Sequence, residues 1–427
     1  MSRTFVSFPI TDFIRCKKQL LYWANKFSVC CFLDNHHYSF NYHSYECLLA
    51  AGAQKYVGVD AGAAFARLKE FCVDEDDWIF GHFSYDLKNE LEQLDSRNMD
   101  GIGFPDLFFF IPEIVILLSD TEISIGSGVV DAATIFNEIF QTTFLNSAPA
   151  SSVNFNSQFT KEEYINSILL LQQHILRGDC YEVNFCQEFY SKDCFIDPLQ
   201  VYFSLSDISP NPFAAYYKVN DNYLCCASPE RYLKKTGEKI ISQPIKGTWS
   251  RDLNDSEKDN YYRDQLFSSR KERSENVMVV DLVRNDLSKI CVEGTVQVSE
   301  LYGIYSFPQV HQMISTITGR IREEIHWVDA IKATFPMGSM TGAPKKRVME
   351  LIEKYEKTKR GIFSGAVGYV SPQHDFDFNV VIRSILYNRQ EKYLSYQVGS
   401  GITFYSDPLQ EYEECMIKAA AIRKVLT

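Results

Sequence analysis

Two segments bring together residue types that can supply a nucleophile and an acid. Ser228-Pro229-Glu230-Arg231 is followed by Gln243-Pro244-Ile245-Lys246-Gly247-Thr248, where an apolar run stops at a turn-prone Lys-Gly-Thr. A lysine at such a strand end projects into whatever cleft lies above it. An amine becomes nucleophilic when burial or a nearby cation lowers its pKa, and a carboxyl held protonated can assist a leaving hydroxyl. Lys246 and Glu230 can form that pair. The alternative is a solvated loop lysine and an exposed Glu230-Arg231 pair.

Three further segments carry carboxylates, cations and glycines at suggestive spacing. Glu275, Val279, Leu282 and Asp286 recur with helical periodicity, so two carboxylates share a face with apolar residues. Such groups need partners: an oxygen-preferring cation such as Mg²⁺, or ion pairs with Arg284. In Gly338-Ser-Met-Thr341-Gly342-Ala-Pro344-Lys345, proline precedes an apolar helical pattern, which makes either an anion-friendly helix start or an ordinary cap. Near the C-terminus, residues 380–383 read as a strand ending in Arg383. Val398-Gly399-Ser400-Gly401-Ile402 reads as the next, and Glu411, Glu414 and Lys418 then fall on one helix face. On a solvent face those charges would be routine pairs worth ~0.3–0.5 kcal/mol each. As metal donors they would need a second carboxylate source, which Glu275 can provide. Bare glycine strands let a ligand approach the backbone, and an arginine fork grips a carboxylate in two places.

The elements that must position these groups are both helices and strands. Residues 161–177 carry Ile165, Ile168, Leu169, Leu171 and Leu176 at helical intervals and stop at Gly178, while residues 216–219 and 240–245 read as strands. No glycine-rich helix start follows a strand, so the fold class is α+β rather than doubly wound. Residues 146–158 are small and polar and read as a linker between an N-terminal region, 1–145, and a region 159–427 that holds all the candidate chemistry. With 427 residues, 45% hydrophobic and 23% charged, the chain is neither disordered nor fibrous. A net charge of −12 argues against nucleic acid and means that an anionic substrate needs a metal or a few placed cations. Twelve scattered cysteines without a Cys-x-x-Cys pair point to reduced thiols. The opening residues lack an apolar signal core, and residues 107–118 are too short and too broken by Pro112 and Glu113 to span a bilayer, so a cytoplasmic protein without membrane partners is expected. The eight histidines offer no zinc-like spacing.

Taken in order, Ser-Pro-Glu-Arg, Pro-Ile-Lys-Gly-Thr, Glu-Asn-x-Met-x-Val-Asp-Leu-x-Arg-Asn-Asp, Gly-Ser-x-Thr-Gly-Ala-Pro-Lys, Ser-Gly-Ala-Val-Gly-Tyr, Ile-Arg-Ser, Gly-Ser-Gly-Ile and Glu-x-x-Glu-x-x-x-Lys resemble the chorismate-utilising enzymes. The resemblance covers about residues 155 to 427; earlier, Tyr45-Glu-Cys-Leu-Leu-Ala-Ala-Gly matches a family strand only faintly. It implies two large antiparallel sheets with outer helices, and a Mg²⁺ held by Glu275 and Glu414 with Glu411 beside them. It also implies that Arg383, Gly399, Ser400 and Gly401 hold substrate carboxylates, that Thr341 and Gly342 contact the ring, and that Glu230 is the acid at the C4 hydroxyl. Lys246 resembles the aminodeoxychorismate-forming branch, since anthranilate synthases typically carry alanine there. The implied reaction joins chorismate and ammonia, the latter from solution or from a separate glutamine amidotransferase, because no Gly-x-Cys-x-Gly elbow is present. Synthesis of anthranilate or isochorismate on the same fold, or an inactive chorismate-binding regulatory subunit, are the alternatives. Two positions depart from the family pattern. Gln312 stands where a histidine is usual, with His311 one residue early and facing the other side of an expected strand, and Phe363 stands where anthranilate synthases often show tyrosine. Pro212-Phe213-Ala214 lies where relatives contact a tryptophan.

Overall fold

Many strands of this chain are apolar at consecutive positions because the sheet they build is covered on both faces. In the computed structural model, which describes residues 3–39, 41–73, 75–143 and 153–426, neighbouring residues of one strand sort into different cores. Cys30 and Cys225 pack on one side of the sheet, Cys31 and Cys226 on the other. Each cysteine doublet is therefore ordinary strand alternation on a sheet without a wet face. All twelve cysteines are buried free thiols.

Among the described residues, one sheet has twelve strands and the other ten, and the strand pairings in both are antiparallel. The first core lies between the sheets and also takes side chains from helices Arg270–Ser288 and Trp327–Thr334. The second lies between the far face of the larger sheet and helices that include Phe13–Ala24, Lys161–Leu176 and Pro408–Leu426. This is the α+β architecture expected. The apolar stretch 107–118 is two strands, one per sheet: Leu107–Ile111 in the smaller and Ile114–Leu118 in the larger. Pro112, which has no N–H to give a ladder, marks the crossing.

The N-terminal region is woven into the rest. Val29–Asp34 pairs with Phe213–Val219 in the larger sheet, and Ile79–Phe83 pairs with Ala366–Val370 in the smaller. Of the expected linker 146–158, residues 146–152 lie outside the described residues. Asn156–Ser157 departs from that reading, because it adds a short strand to Glu182–Ser191 opposite Tyr190 and Phe189.

Helix Lys161–Leu176 starts with a capping box between Thr160 and Glu163 and ends before Gly178, whose φ of +82° suits glycine. Its buried stripe is Tyr164, Ile168 and Leu171; Leu169 and Leu176 are exposed, since three consecutive leucines cannot share one face at 100° per residue. Residues 380–383, expected as a strand, are irregular: the strand ends at Asn379, the next begins at Ser384, and Arg383 has a φ of +50°. Among the described residues no helix is long and apolar enough to cross a membrane.

A buried ion pair ties the two halves of the site together. Arg360 donates to Glu356 (2.6 Å), to the Met340 carbonyl (2.6 Å) and to the Asn184 carbonyl (2.7 Å), while Glu356 accepts from the Cys186 amide (2.8 Å). Both side chains are almost fully buried. Breaking such a pair leaves a charge stranded and costs about 3–5 kcal/mol. Arg360→Met is therefore expected to lower the unfolding free energy measured in urea by that much, and the double variant Arg360→Met/Glu356→Leu to lose less than Arg360→Met alone.

Candidate active site

The strand Ile245–Ser250 follows Pro244, and its pairing with Val310–Arg320 shifts between Ile245 and Thr248. The irregularity falls on Lys246-Gly247, where Gly247 takes a φ of +96°, and such a bulge re-aims a side chain. Lys246 belongs to the smaller sheet, yet its Nζ lies 2.5 Å from Glu182 Oε1 on the first residue of Glu182–Ser191 in the larger sheet. Both side chains are mostly shielded from solvent, at 11% and 2% exposure. Gly401 makes room beneath them: a Cβ there would fall 2.6 Å from Glu182 Oε1 and 2.7 Å from Lys246 Nζ. Burial pushes the Lys246 ammonium down, but Glu182, Glu275 and Glu230 outweigh it and hold the amine above its ordinary pKa. This corrects the expectation of a depressed lysine. The burial and the convergence of the three carboxylates both arise only in the fold.

Glu230, at the entrance to strand Arg231–Thr236, lines the same cleft. Burial pushes its carboxyl up to about 7, against the Ser339 hydroxyl, Lys246 and Arg383. Near neutrality such a group holds its proton part of the time and can give it away. Arg383 also opens onto the cleft; burial pushes it down to about 10, so it stays cationic at pH 7.

Two helices bring in the remaining carboxylates. Arg270–Ser288 supplies Glu275, and Pro408–Leu426 supplies Glu411 and Glu414. Burial pushes Glu275 up to about 8, with Lys246 opposing and Glu182 adding to the rise. Glu414 is held below its ordinary value by Lys418, 2.7 Å away. Lys271 lies 3.2 Å from Glu411 and 4.0 Å from Glu275. Glu275 Oε1 and Glu411 Oε2 are buried without a hydrogen-bond partner. A hard divalent cation with oxygen ligands suits that donor set. The three carboxylates are not gathered to ligand distance here: among the described residues, that spacing occurs only for Asp34, Glu46 and Cys47, where Lys17 and His36 already pair with Asp34.

Gly399, Ser400 and Gly401 line the cleft. Thr341 and Gly342 do not. The Thr341 hydroxyl turns to the Met337 and Gly338 carbonyls, and Gly342 is paired with Val183 at a φ of +137°. The short turn Gly338–Met340 presents Ser339 and Met340 to the cleft instead. Helix Lys345–Tyr355 starts away from the cleft, and Lys345 pairs with Asp286 at 2.5 Å. That accounts for Asp286, while Arg284 pairs with Asp281 on the surface. On strand Val310–Arg320, Gln312 and His311 do face opposite ways. Gln312 and Phe363 line the cleft, whereas His311 reaches Asp259 at 3.0 Å and Ser306 at 2.9 Å. The residues missed in the sequence are Glu182, Lys271, Glu272 and Ser339. Glu182 and Asn184, polar residues at alternate positions around Val183 at the start of the strand, were the available signal for the first.

The model of the family described as chorismate binding enzyme matches residues 29–424. The chain belongs to that family. Its relatives include aminodeoxychorismate synthase component 1 of Bacillus subtilis, 32% identical over 81% of this chain and 76% of that one. The Escherichia coli protein of the same name is 33% identical over the same shares. The solved anthranilate synthase component I of Streptococcus pneumoniae has a TM-score of 0.77 at 23% identity, covering 91% of this chain and 94% of that one, and shares the fold. Like its relatives, this chorismate binding enzyme family member is an enzyme. The family match begins at the strand Val29–Asp34, so it takes in the N-terminal strands where the motif resemblance was faint.

The Glu230 carboxyl carries a stability cost that depends on pH. Its ordinary pKa is 4.5 and the folded value about 7, so folding favours the protonated form. The protein therefore loses stability as pH rises from 4.5 through 7, by up to roughly 3 kcal/mol. Glu230→Gln, neutral at every pH, is expected to match the parent near pH 4.5 and to exceed it by about that amount near pH 8.5 in urea unfolding.

Proposed function

We propose that this enzyme converts chorismate and ammonia to 4-amino-4-deoxychorismate, with Mg²⁺, as a step toward 4-aminobenzoate and folate. The observation that carries the reading is the pair at the heart of the cleft: Lys246, the residue type that sets the aminating branch apart from anthranilate synthases, opposite Glu230 with its raised pKa. The Lys246 amine attacks C2 of chorismate while Glu230 gives a proton to the departing C4 hydroxyl. Ammonia then attacks C4, and the C2–N bond to Lys246 breaks. Arg383 and the backbone of Gly399 and Gly401 suit the substrate carboxylates.

Glu275, Glu411 and Glu414 are the residues that would hold Mg²⁺, with Lys271 giving up its contact to Glu411. The ion would supply positive charge for the ring carboxylate amid these glutamates. Gln312 contributes an amide, which can neither give nor take a proton at this wall. That supports a reaction ending at the aminated product. The name "component 1" of the two relatives fits a separate glutaminase as ammonia source.

Purified protein given chorismate, Mg²⁺ and ammonium, followed by the lyase that forms 4-aminobenzoate, is expected to yield 4-aminobenzoate. Anthranilate or isochorismate as the main product would overturn the assignment. Lys246→Ala should lose at least ~100-fold in turnover while still binding chorismate; wild-type binding without any turnover would instead indicate a regulatory subunit. Glu275→Gln and Glu414→Gln are each expected to raise the Mg²⁺ concentration for half-maximal rate by about tenfold or more.

A further inference from the structure

An ammonium has no lone pair, so Lys246 must lose a proton before it can attack carbon. The groups around it come from several elements. Glu182 arrives from the larger sheet, Glu230 from the turn before Arg231–Thr236, Glu272 and Glu275 from one helix, and Glu414 and Lys418 from another. Among the described residues, Glu182 is the carboxylate at ion-pair distance from Nζ. Glu230 must arrive protonated to release the C4 oxygen, and Glu275, Glu411 and Glu414 are the candidate metal donors. Glu182 has one oxygen on Lys246 and the other, Oε2, buried with no hydrogen-bond partner. A buried carboxylate oxygen without a partner is costly and calls for a donor. Gly401 preserves the arrangement, since any side chain there would collide with both members of the pair.

We infer that Glu182 is the proton acceptor for Lys246 and that its second oxygen receives an N–H of the incoming ammonia. The inference rests on the reading of the site as a lysine-dependent amination of chorismate. The protons and bonds balance. Glu182 takes a proton from Nζ; the free amine forms the C2–N bond as the C4–O bond breaks, and the hydroxyl leaves as water with the Glu230 proton. Ammonia then forms the C4–N bond as the C2–N bond breaks and the electron pair returns to Nζ. The new C4 ammonium gives its surplus proton to Glu230, Glu182 returns its proton to Lys246, and both acids are reset.

Glu182→Gln keeps the volume and an oxygen for Lys246 but cannot take a proton. With chorismate, Mg²⁺ and ammonium it is expected to lose at least ~100-fold in kcat, with the chorismate KM within about threefold. Glu182→Ala should recover turnover on addition of formate, which leaves wild type unaffected. If Glu182 served only as a charge holding the ammonium, its neutral replacement would free the amine and raise the rate. A Glu182→Gln enzyme at or above wild-type rate, or Glu182→Ala insensitive to formate, would overturn the role. Wild type run in the same assay separates the two ideas: no aminated product from wild type removes the amination reading itself, whereas product made equally by wild type and Glu182→Gln removes only the role of Glu182.

Discussion

The site is governed by the cost of taking carboxylates out of water, offset by a few cations placed among them. Glu182, Glu230, Glu275, Glu411 and Glu414 line or border one cleft, which they share with Lys246, Lys271, Arg383 and Lys418. The arrangement divides them. Glu414, in contact with Lys418, sits below its ordinary pKa, while burial pushes Glu275 and Glu230 up to about 8 and about 7. Position relative to a few cations thus assigns different protonation to chemically identical side chains. The net charge of −12, which seemed to oppose an anionic ligand, reflects in part this local demand for carboxylates.

No single element could hold such a cluster. Glu182 comes from one sheet, Lys246 from the other, Glu230 from the turn before Arg231–Thr236, and Glu275, Glu411 and Glu414 from two helices. The cleft exists only when the sheets are docked, and the docking is secured by the interleaved N-terminal strands and by Arg360, which bridges Glu356 to the carbonyls of Met340 and Asn184. Asn184 in turn donates to the Ser339 carbonyl, so the Gly338–Met340 turn is held against the strand that carries Glu182. Structural and reactive groups are neighbours in sequence as well as in space, only Val183 separating Glu182 from Asn184.

Much of this was legible in the residues themselves. The α+β class followed from the lack of a βαβ rhythm, and Glu275, Glu411 and Glu414 were marked by helical spacing that survives folding. What could not be read was anything set by long-range registry. The Lys246–Glu182 contact joins residues 64 positions apart on different sheets. Ser339 and Met340 line the cleft where Thr341 and Gly342 do not, because a tight turn decides which side chains reach it and its phase leaves no compositional trace. Val380-Val-Ile-Arg383 looks like a strand, since β-branched residues favour one, but the positive φ at Arg383 breaks the extended path and turns the guanidinium toward the cleft.

The lysine is the sharpest case. From composition alone, a buried lysine is a depressed lysine, because desolvation disfavours its charge. Here the desolvation is real, yet a carboxylate in contact and two more nearby reverse it. A nucleophile stored as its ammonium is unreactive until something removes a proton, and in exchange it neutralises a carboxylate that would otherwise be buried alone. The pairing therefore serves the resting protein and hinders the reaction unless the partner can also accept the proton. A carboxylate with one oxygen on the amine and the other free meets both requirements, which an arginine or a second lysine at that position could not.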